Sequence, residues 1–141
     1  MPMVIGGLKR LELLRTRPEI KAKLWENVEK LQGGLKKIGY NLGDTNTCVT
    51  PVFIQGNPVE AMLLARDLRE NYGIFTSVVS YPVIPKGMIL LRLIPTASHT
   101  DAEINETLEA FEGIYKKLET GYYKELEAQQ IKEQNLQFKE I

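Results

Sequence analysis

The chain has 141 residues, of which 43% are hydrophobic, and its 18 basic side chains balance 18 acidic ones. This length and composition are typical of one globular domain with a proper core. The balanced charge gives no reason to expect a nucleic acid or an anionic membrane as a partner, and the single cysteine excludes an internal disulfide.

The N-terminal part of the chain is predicted to form two helices. Apolar residues recur at helical spacing over residues 3–16 and again over residues 18–38, with Pro18 in the first turn of the second helix and Gly39 just beyond its end.

The N-terminus lacks the apolar centre of a signal peptide, and no apolar run approaches the roughly 20 residues that cross a bilayer. We therefore expect a cytoplasmic protein without membrane contact.

Three short strands and one helix are predicted in the middle of the chain. Residues 48–55, 74–80 and 88–94 have strand-like composition, and Pro51 places the first strand at a sheet edge or marks its beginning. Asn57 is a helix N-cap, and the helix over residues 58–72 stops at Gly73. The segment YPVIPKG contains two prolines and a glycine, so we expect an irregular loop there.

The last predicted helix begins at a capping box made by Thr100 and Glu103. Its apolar stripe runs to Tyr122 and thins beyond Lys124, which predicts a helical or frayed tail. The element order α-α-β-α-β-β-α predicts an α+β fold, in which helices cover a small three-stranded sheet of mixed or antiparallel strands.

One charged residue interrupts the most apolar stretch of the chain. Arg92 lies within MILLRLI, where both alternating sets of side chains are apolar, so we expect the strand to be covered on both faces. A buried guanidinium requires an anion, because burial of an unpaired charge costs several kcal/mol. Spacing alone favours an acidic residue of the same chain or main-chain carbonyls. The functional alternative is a ligand carboxylate or phosphate held by the planar guanidinium.

Few other residues suggest a catalytic, ligand-binding or metal-binding role. His99 precedes the capping threonine and is interpreted first as a turn residue, with ligand contact or proton transfer as the alternative. Tyr81 is interpreted as a packed aromatic and Lys86 as a solvated side chain. No glycine pair has the spacing of a phosphate-binding loop, and one histidine with one cysteine supports neither a transition-metal site nor a Cys–His nucleophile.

A longer segment carries a family resemblance. The sequence YPVIPKGMILLRLIPTASHTDAEINETLEAF resembles the C-terminal end of the α-oxoamine synthases, which are fold-type I pyridoxal-phosphate enzymes that condense an amino acid with an acyl-CoA. The shared features are a loop bracketed by prolines, Gly87, Arg92, a turn of small residues, and His99-Thr100 before an acidic helix start. The resemblance covers about residues 3 to 120, and Tyr81-Pro82-Val83 with Lys86 tilts it towards the glycine C-acetyltransferase branch.

The resemblance implies roles for these residues. It implies that Arg92 binds the α-carboxylate of the amino-acid substrate, with Tyr81, Pro82, Thr96 and His99 as supporting residues. It places the Schiff-base lysine and the other pyridoxal-phosphate ligands in a large domain that this chain lacks. No catalytic, cofactor-binding or metal-binding residue is therefore expected here, and no covalent adduct or transferase activity of the chain alone.

The resemblance also implies a division of the chain and a set of partners. Residues 1–17 are expected to form an interdomain helix, residues 18–123 the small C-terminal domain, and residues 124–141 a tail. The expected partners are the large cofactor-binding domain, an amino acid, an acyl-CoA and a second copy in a homodimer. The competing hypothesis is a non-catalytic, ferredoxin-like regulatory module that binds a small carboxylate or another protein.

Overall fold

Five helices and one three-stranded sheet make up the computed structural model, which describes residues 2–137. The elements are α1 (Pro2–Thr16), α2 (Pro18–Ile38), β1 (Thr50–Gln55), α3 (Pro58–Tyr72), β2 (Ser77–Val79), β3 (Met88–Leu93), α4 (Asp101–Glu119) and α5 (Tyr122–Gln137). The predicted α+β fold is confirmed. The predicted tail is helical as far as residue 137, and its residues 138–141 lie outside the described residues.

The sheet is antiparallel, with strand order β1-β3-β2. Its central strand is therefore the one that carries Arg92. Pro51 lies on an edge strand, as its missing donor predicted. The second strand is shorter than expected, because the backbone N–H of Ile74 donates to the Leu68 carbonyl at the end of α3. That residue caps the preceding helix and does not join the ladder.

Helices cover one face of the sheet. The inward side chains of β1 and β3 pack with residues of α2, α3 and α4 in a single apolar core. Its fully buried members include Leu35, Val52, Leu68, Leu91 and Phe111. The expectation that both faces of β3 would be covered is wrong for the described residues, since the opposite face carries half-buried and exposed side chains.

The first helix contributes nothing to this core. No residue of α1 is buried, and among the other elements α1 contacts α2. Its exposed apolar side chains include Met3, Val4, Ile5, Leu8 and Leu14. No helix within residues 2–137 combines the length and apolar character needed to cross a membrane.

Helices α2 and α4 approach each other closely at Gly34. A Cβ atom added there would lie 2.5 Å from both terminal methyl groups of Leu108, whereas one added at Gly33 would meet nothing within 4 Å. The two adjacent glycines therefore differ in the space available for a side chain. Gly34 makes room for α4, while Gly33 lowers the stability of α2 without a packing reason.

The glycine pair provides a matched stability test. Gly33→Ala is expected to raise the free energy of unfolding by about 0.5–1 kcal/mol, the difference in helix propensity. Gly34→Ala gains the same propensity but displaces Leu108, so it is expected to be less stable than Gly33→Ala by at least about 1 kcal/mol. Urea denaturation measures both values, and equal stabilities of the two variants would contradict the close approach.

The C-terminal helices meet at a break that the sequence interpretation missed. Gly121 adopts a left-handed conformation with φ of 73°, which ends α4 and turns the chain into α5. As a result Tyr123 is 2% exposed and joins the core, while Tyr122 is 41% exposed. The prediction that one stripe continues through Tyr122 is wrong, because helical spacing does not carry across a left-handed glycine.

A buried carboxylate fixes α5 against α3 and α4. Asp67 accepts hydrogen bonds from the Tyr123 hydroxyl at 2.5 Å, from Lys117 Nζ at 2.7 Å and from Asn71 Nδ2 at 2.7 Å. Burial acts to raise the pKa of Asp67, but the hydrogen bonds from Lys117, Tyr123 and Asn71 together hold that pKa below its usual range.

Removal of this carboxylate is expected to weaken the fold in a pH-dependent way. Asp67→Ala leaves the buried Tyr123 hydroxyl and the half-buried Lys117 ammonium without their partner, and we expect a loss of about 2–3 kcal/mol in the free energy of unfolding at pH 7. Because the folded pKa is depressed, the stabilisation is present above the unfolded pKa of about 4 and is lost as the pH falls further. Urea titrations at pH 7 and pH 3 should therefore show a smaller difference from wild type at pH 3, and a constant difference would contradict this origin.

Candidate functional site

The candidate site lies on the face of the sheet that the helices leave uncovered, here called the outer sheet face. Strand register and alternation place these side chains on it: Pro51, Phe53, Gln55, Ser77, Val79, Met88, Leu90 and Arg92. Seven of these eight residues are uncharged. Arg92 is therefore the one charge on an otherwise mostly apolar surface of the described sheet.

Arg92 is exposed and not buried as the sequence had suggested. Strand β3 is covered on the side of Leu91 and Leu93, but Arg92 points to the other side. Its guanidinium forms no salt bridge with any carboxylate in residues 2–132, whose side chains the structure describes. Its described side-chain contact is a hydrogen bond from Nε to the Ser77 hydroxyl at 3.2 Å. The internal ion pair that spacing favoured is therefore absent from the described part of the chain.

The turn after the arginine strand is built around His99. The backbone N–H of Thr96 donates to His99 Nδ1 at 3.0 Å, which closes the turn, and the imidazole is half-buried. The interpretation of His99 as a turn residue fits this contact. The structure thus brings Thr96 and His99 together, but joins neither of them to the guanidinium of Arg92 by a described hydrogen bond.

The side chain of Asn27, in α2, holds this turn by hydrogen bonds, and the sequence interpretation did not identify it. It is fully buried, and its Nδ2 donates to the carbonyls of Thr96 at 2.9 Å and His99 at 2.8 Å. Its Oδ1 has no partner among the described residues. A signal was present: Asn27 lies three residues after Leu24 and four before Leu31, so it is a polar residue within the apolar stripe of α2.

Tyr81 and Pro82 lie in the loop that joins β2 to β3. Both are exposed, and the Nζ of Lys86 lies 5.0 Å from the centre of the Tyr81 ring. Tyr81 is therefore not the packed aromatic that the sequence suggested. No described hydrogen bond or ion pair connects this loop with Arg92, which lies near the far end of β3 from the loop.

The outer sheet face presents one guanidinium that has no carboxylate partner among the described side chains. A groove of about 410 Å³ adjoins the turn and is lined by His99, Glu103, Ile94 and Phe75 among others. Within the described residues no group of three or more histidine, cysteine, aspartate or glutamate side chains could hold a metal ion. The outer sheet face offers a guanidinium, a hydroxyl and apolar walls.

The chain is similar to proteins of the aminotransferase class I and II family. The family model for aminotransferase class I and II matches residues 6–111. A cysteate-C-fatty acyltransferase from Capnocytophaga ochracea is 60% identical over 135 residues, which cover 94% of this chain and 32% of that protein. An 8-amino-7-oxononanoate synthase from Symbiobacterium thermophilum is 35% identical over 111 residues, which cover 79% of this chain and 28% of the relative.

Solved structures agree with these sequence relatives. A serine palmitoyltransferase from S. paucimobilis, with a bound PLP–myriocin aldimine, superposes with a TM-score of 0.65 at 30% identity, covering 72% of this chain and 26% of that one. The chain spans about a third of the length of the curated relatives it matches.

Proposed function

The chain belongs to the aminotransferase class I and II family, and from this premise we propose that it supplies the substrate-carboxylate site of a pyridoxal-phosphate-dependent enzyme that transfers an acyl group to an amino acid. The observation that carries the proposal is Arg92, a guanidinium with no carboxylate partner among the described residues, on an otherwise mostly apolar sheet face. An amino-acid carboxylate is the counter-ion that this surface lacks.

Physical chemistry favours arginine for this task. A guanidinium binds a carboxylate through two parallel hydrogen bonds, which fix the orientation of the carboxylate as well as its position. Such orientation directs the adjacent Cα bond towards the catalytic groups. Apolar neighbours such as Leu90 exclude water once the face is covered, and a charge pair is stronger in a site of low dielectric constant.

The described residues do not fit the cofactor itself. The outer sheet face has no lysine for a Schiff base and no loop of backbone donors for a phosphate. When bound, pyridoxal phosphate withdraws electrons from the substrate Cα, and we propose that its ligands lie in a larger domain that covers this face. The role of the present residues is to hold the amino acid in place.

We propose that the amino acid is of the cysteate type, with a second acidic group on its side chain. The support is the 60% identity with a cysteate-C-fatty acyltransferase over 94% of this chain. Arg92 is the one cation on the outer sheet face, so it serves one of the two anionic groups, and the sulfonate requires a partner elsewhere. Glycine, which the loop Tyr81-Pro82-Val83 with Lys86 favoured, is the alternative acceptor.

The division of the chain is likewise proposed from the family. Residues 1–17 would connect the domains, residues 18–123 would form the small domain, and residues 124–141 would extend it as a tail. Their proposed partners are the cofactor-binding domain and a second copy of the enzyme. The exposed apolar side chains of α1, such as Leu8 at 63% exposure, support an interdomain contact at this helix.

The chain alone is accordingly expected to associate through α1. At micromolar concentration it should bind an apolar dye or sediment as more than a monomer, because α1 exposes five or more large apolar side chains. The double variant Val4→Glu/Leu8→Glu should neither bind the dye nor self-associate. Met62→Glu, on the exposed side of α3, should behave as wild type. A clean wild-type monomer that binds no dye would contradict the proposed contact.

The proposed function is tested by acyl transfer. The enzyme in which these residues are joined to a pyridoxal-phosphate-binding domain is incubated with a fatty acyl-CoA and either cysteate, serine or glycine, and coenzyme A release is followed. We expect release that depends on the amino acid and is fastest with cysteate. If none of the three amino acids promotes coenzyme A release, the proposal is overturned.

A second measurement tests the chain alone. It is incubated with pyridoxal phosphate, with and without borohydride, and its mass is determined. We expect no stoichiometric adduct, because the outer sheet face provides no lysine. An adduct at one lysine would show a cofactor site within this chain and would contradict the assignment of the cofactor to another domain.

A further inference from the structure

The hydroxyl groups of two consecutive residues hold Arg92 from both sides of the sheet. Ser77 lies directly opposite Arg92 in the antiparallel pair of β2 and β3, so their side chains share the outer sheet face. Its Oγ accepts a hydrogen bond from Arg92 Nε at 3.2 Å. On the core side, the buried Thr76 hydroxyl donates to the main-chain carbonyl of Arg92 at 3.4 Å.

The contact with Ser77 limits how the guanidinium can receive a carboxylate. A guanidinium has one N–H at Nε and four at its two Nη atoms. A carboxylate can bind side-on, to Nε and one Nη, or end-on, to both Nη atoms. With Nε occupied by Ser77, the side-on arrangement loses a donor, whereas the end-on arrangement keeps both of its Nη donors.

We propose that Ser77 is a positioning residue, which holds Nε of Arg92 so that the two Nη atoms receive the substrate carboxylate end-on. This inference rests on the function proposed above, in which Arg92 binds that carboxylate. Ser77 does not touch the substrate. Its effect is to remove alternative orientations of a long and exposed side chain before the substrate arrives, which lowers the entropy lost on binding.

The kinetic test uses the enzyme joined to its cofactor-binding domain. Ser77→Ala is expected to raise the KM for the amino acid by about 3- to 10-fold, the effect of losing one exposed hydrogen bond of ordinary strength, with kcat and the KM for acyl-CoA unchanged within about twofold. Ser77→Thr retains the hydroxyl and should restore the KM. Ser80→Ala, three residues further along the same segment, is the matched control and should behave as wild type.

A spectroscopic test reports the contact without activity. In the 141-residue chain, the Arg92 Nε–H resonance should be protected from solvent exchange in wild type and Ser77→Thr, and lost in Ser77→Ala. An unchanged resonance in Ser77→Ala would overturn the contact. An unchanged amino-acid KM in Ser77→Ala, or an equal rise in Ser80→Ala, would overturn the positioning role.

Kinetics of Arg92→Ala and Ser77→Ala distinguish failure of the proposed function from failure of the positioning role. If Arg92→Ala leaves the amino-acid KM unchanged, the proposed function is wrong and the role of Ser77 falls with it. If Arg92→Ala raises the KM but Ser77→Ala does not, the carboxylate site stands and only the positioning role is wrong.

Discussion

Replacement of Arg92 by alanine is expected to reduce kcat/KM for the amino acid by about 10²- to 10⁴-fold, with little effect on folding. The kinetic loss follows from removing one member of a desolvated charge pair, which costs about 3–5 kcal/mol once the site is closed. The fold is spared because Arg92 is exposed and its side chain makes a single described hydrogen bond. Steady-state kinetics and urea denaturation measure the two effects on the same preparation.

Two further variants separate geometry from charge. Arg92→Lys keeps the positive charge but lacks the planar pair of donors, so it should recover only part of the loss. Arg69→Ala removes an exposed arginine in the last turn of α3 and should leave kcat/KM at the wild-type value. Full activity of Arg92→Lys would indicate that charge alone suffices and would contradict bidentate binding.

The sequence predicted most of the fold because its local signals are strong. Helix α3 begins after Asn57 and ends before Gly73, as predicted, because an N-cap and a left-handed C-cap act within a few residues of the helix ends. Thr100 and Glu103 form the predicted capping box of α4. The position of Pro51 on an edge strand also follows from local chemistry, since a residue without an N–H cannot serve an interior ladder.

The expectations that were wrong depend on how elements pack. Apolar residues on both sides of β3 suggested that Arg92 was covered, but an apolar surface is also produced by an interface whose partner belongs to another part of a protein. Composition does not distinguish these two origins. Tyr122 and Tyr123 illustrate a second limit, because a single glycine at position 121 decides which of the two tyrosines reaches the core.

The site could be predicted only in part for the same reason. Arg92 was found because a charge within an apolar strand is conspicuous. Ser77 was not, because its role depends on the register that places it opposite Arg92, and register is a property of the assembled sheet. Asn27 lies about 70 positions from the turn it holds, with a separation of 72 residues from His99, and no local pattern encodes that contact.

Asn27 is expected to be the residue whose loss most affects the stability of the turn. Asn27→Ala removes two hydrogen bonds, so the carbonyls of Thr96 and His99 lose the donor that the buried side chain of residue 27 supplies. We expect a decrease of about 2–4 kcal/mol in the free energy of unfolding, which urea denaturation measures. Glu29→Ala, at an exposed site of the same helix, is the control and should change stability by less than about 0.5 kcal/mol.

Asn27→Asp gives the same contact a pH dependence with a definite sign. A carboxyl group that is buried and faces two carbonyl oxygens favours its neutral form, so its folded pKa is raised above the unfolded value of about 4. The variant should therefore be least stable at pH 7 and should recover as the pH falls towards 4. Wild type carries no ionisable group at this position and should lack this recovery. Equal pH dependence of the two proteins would show that residue 27 does not face the turn carbonyls.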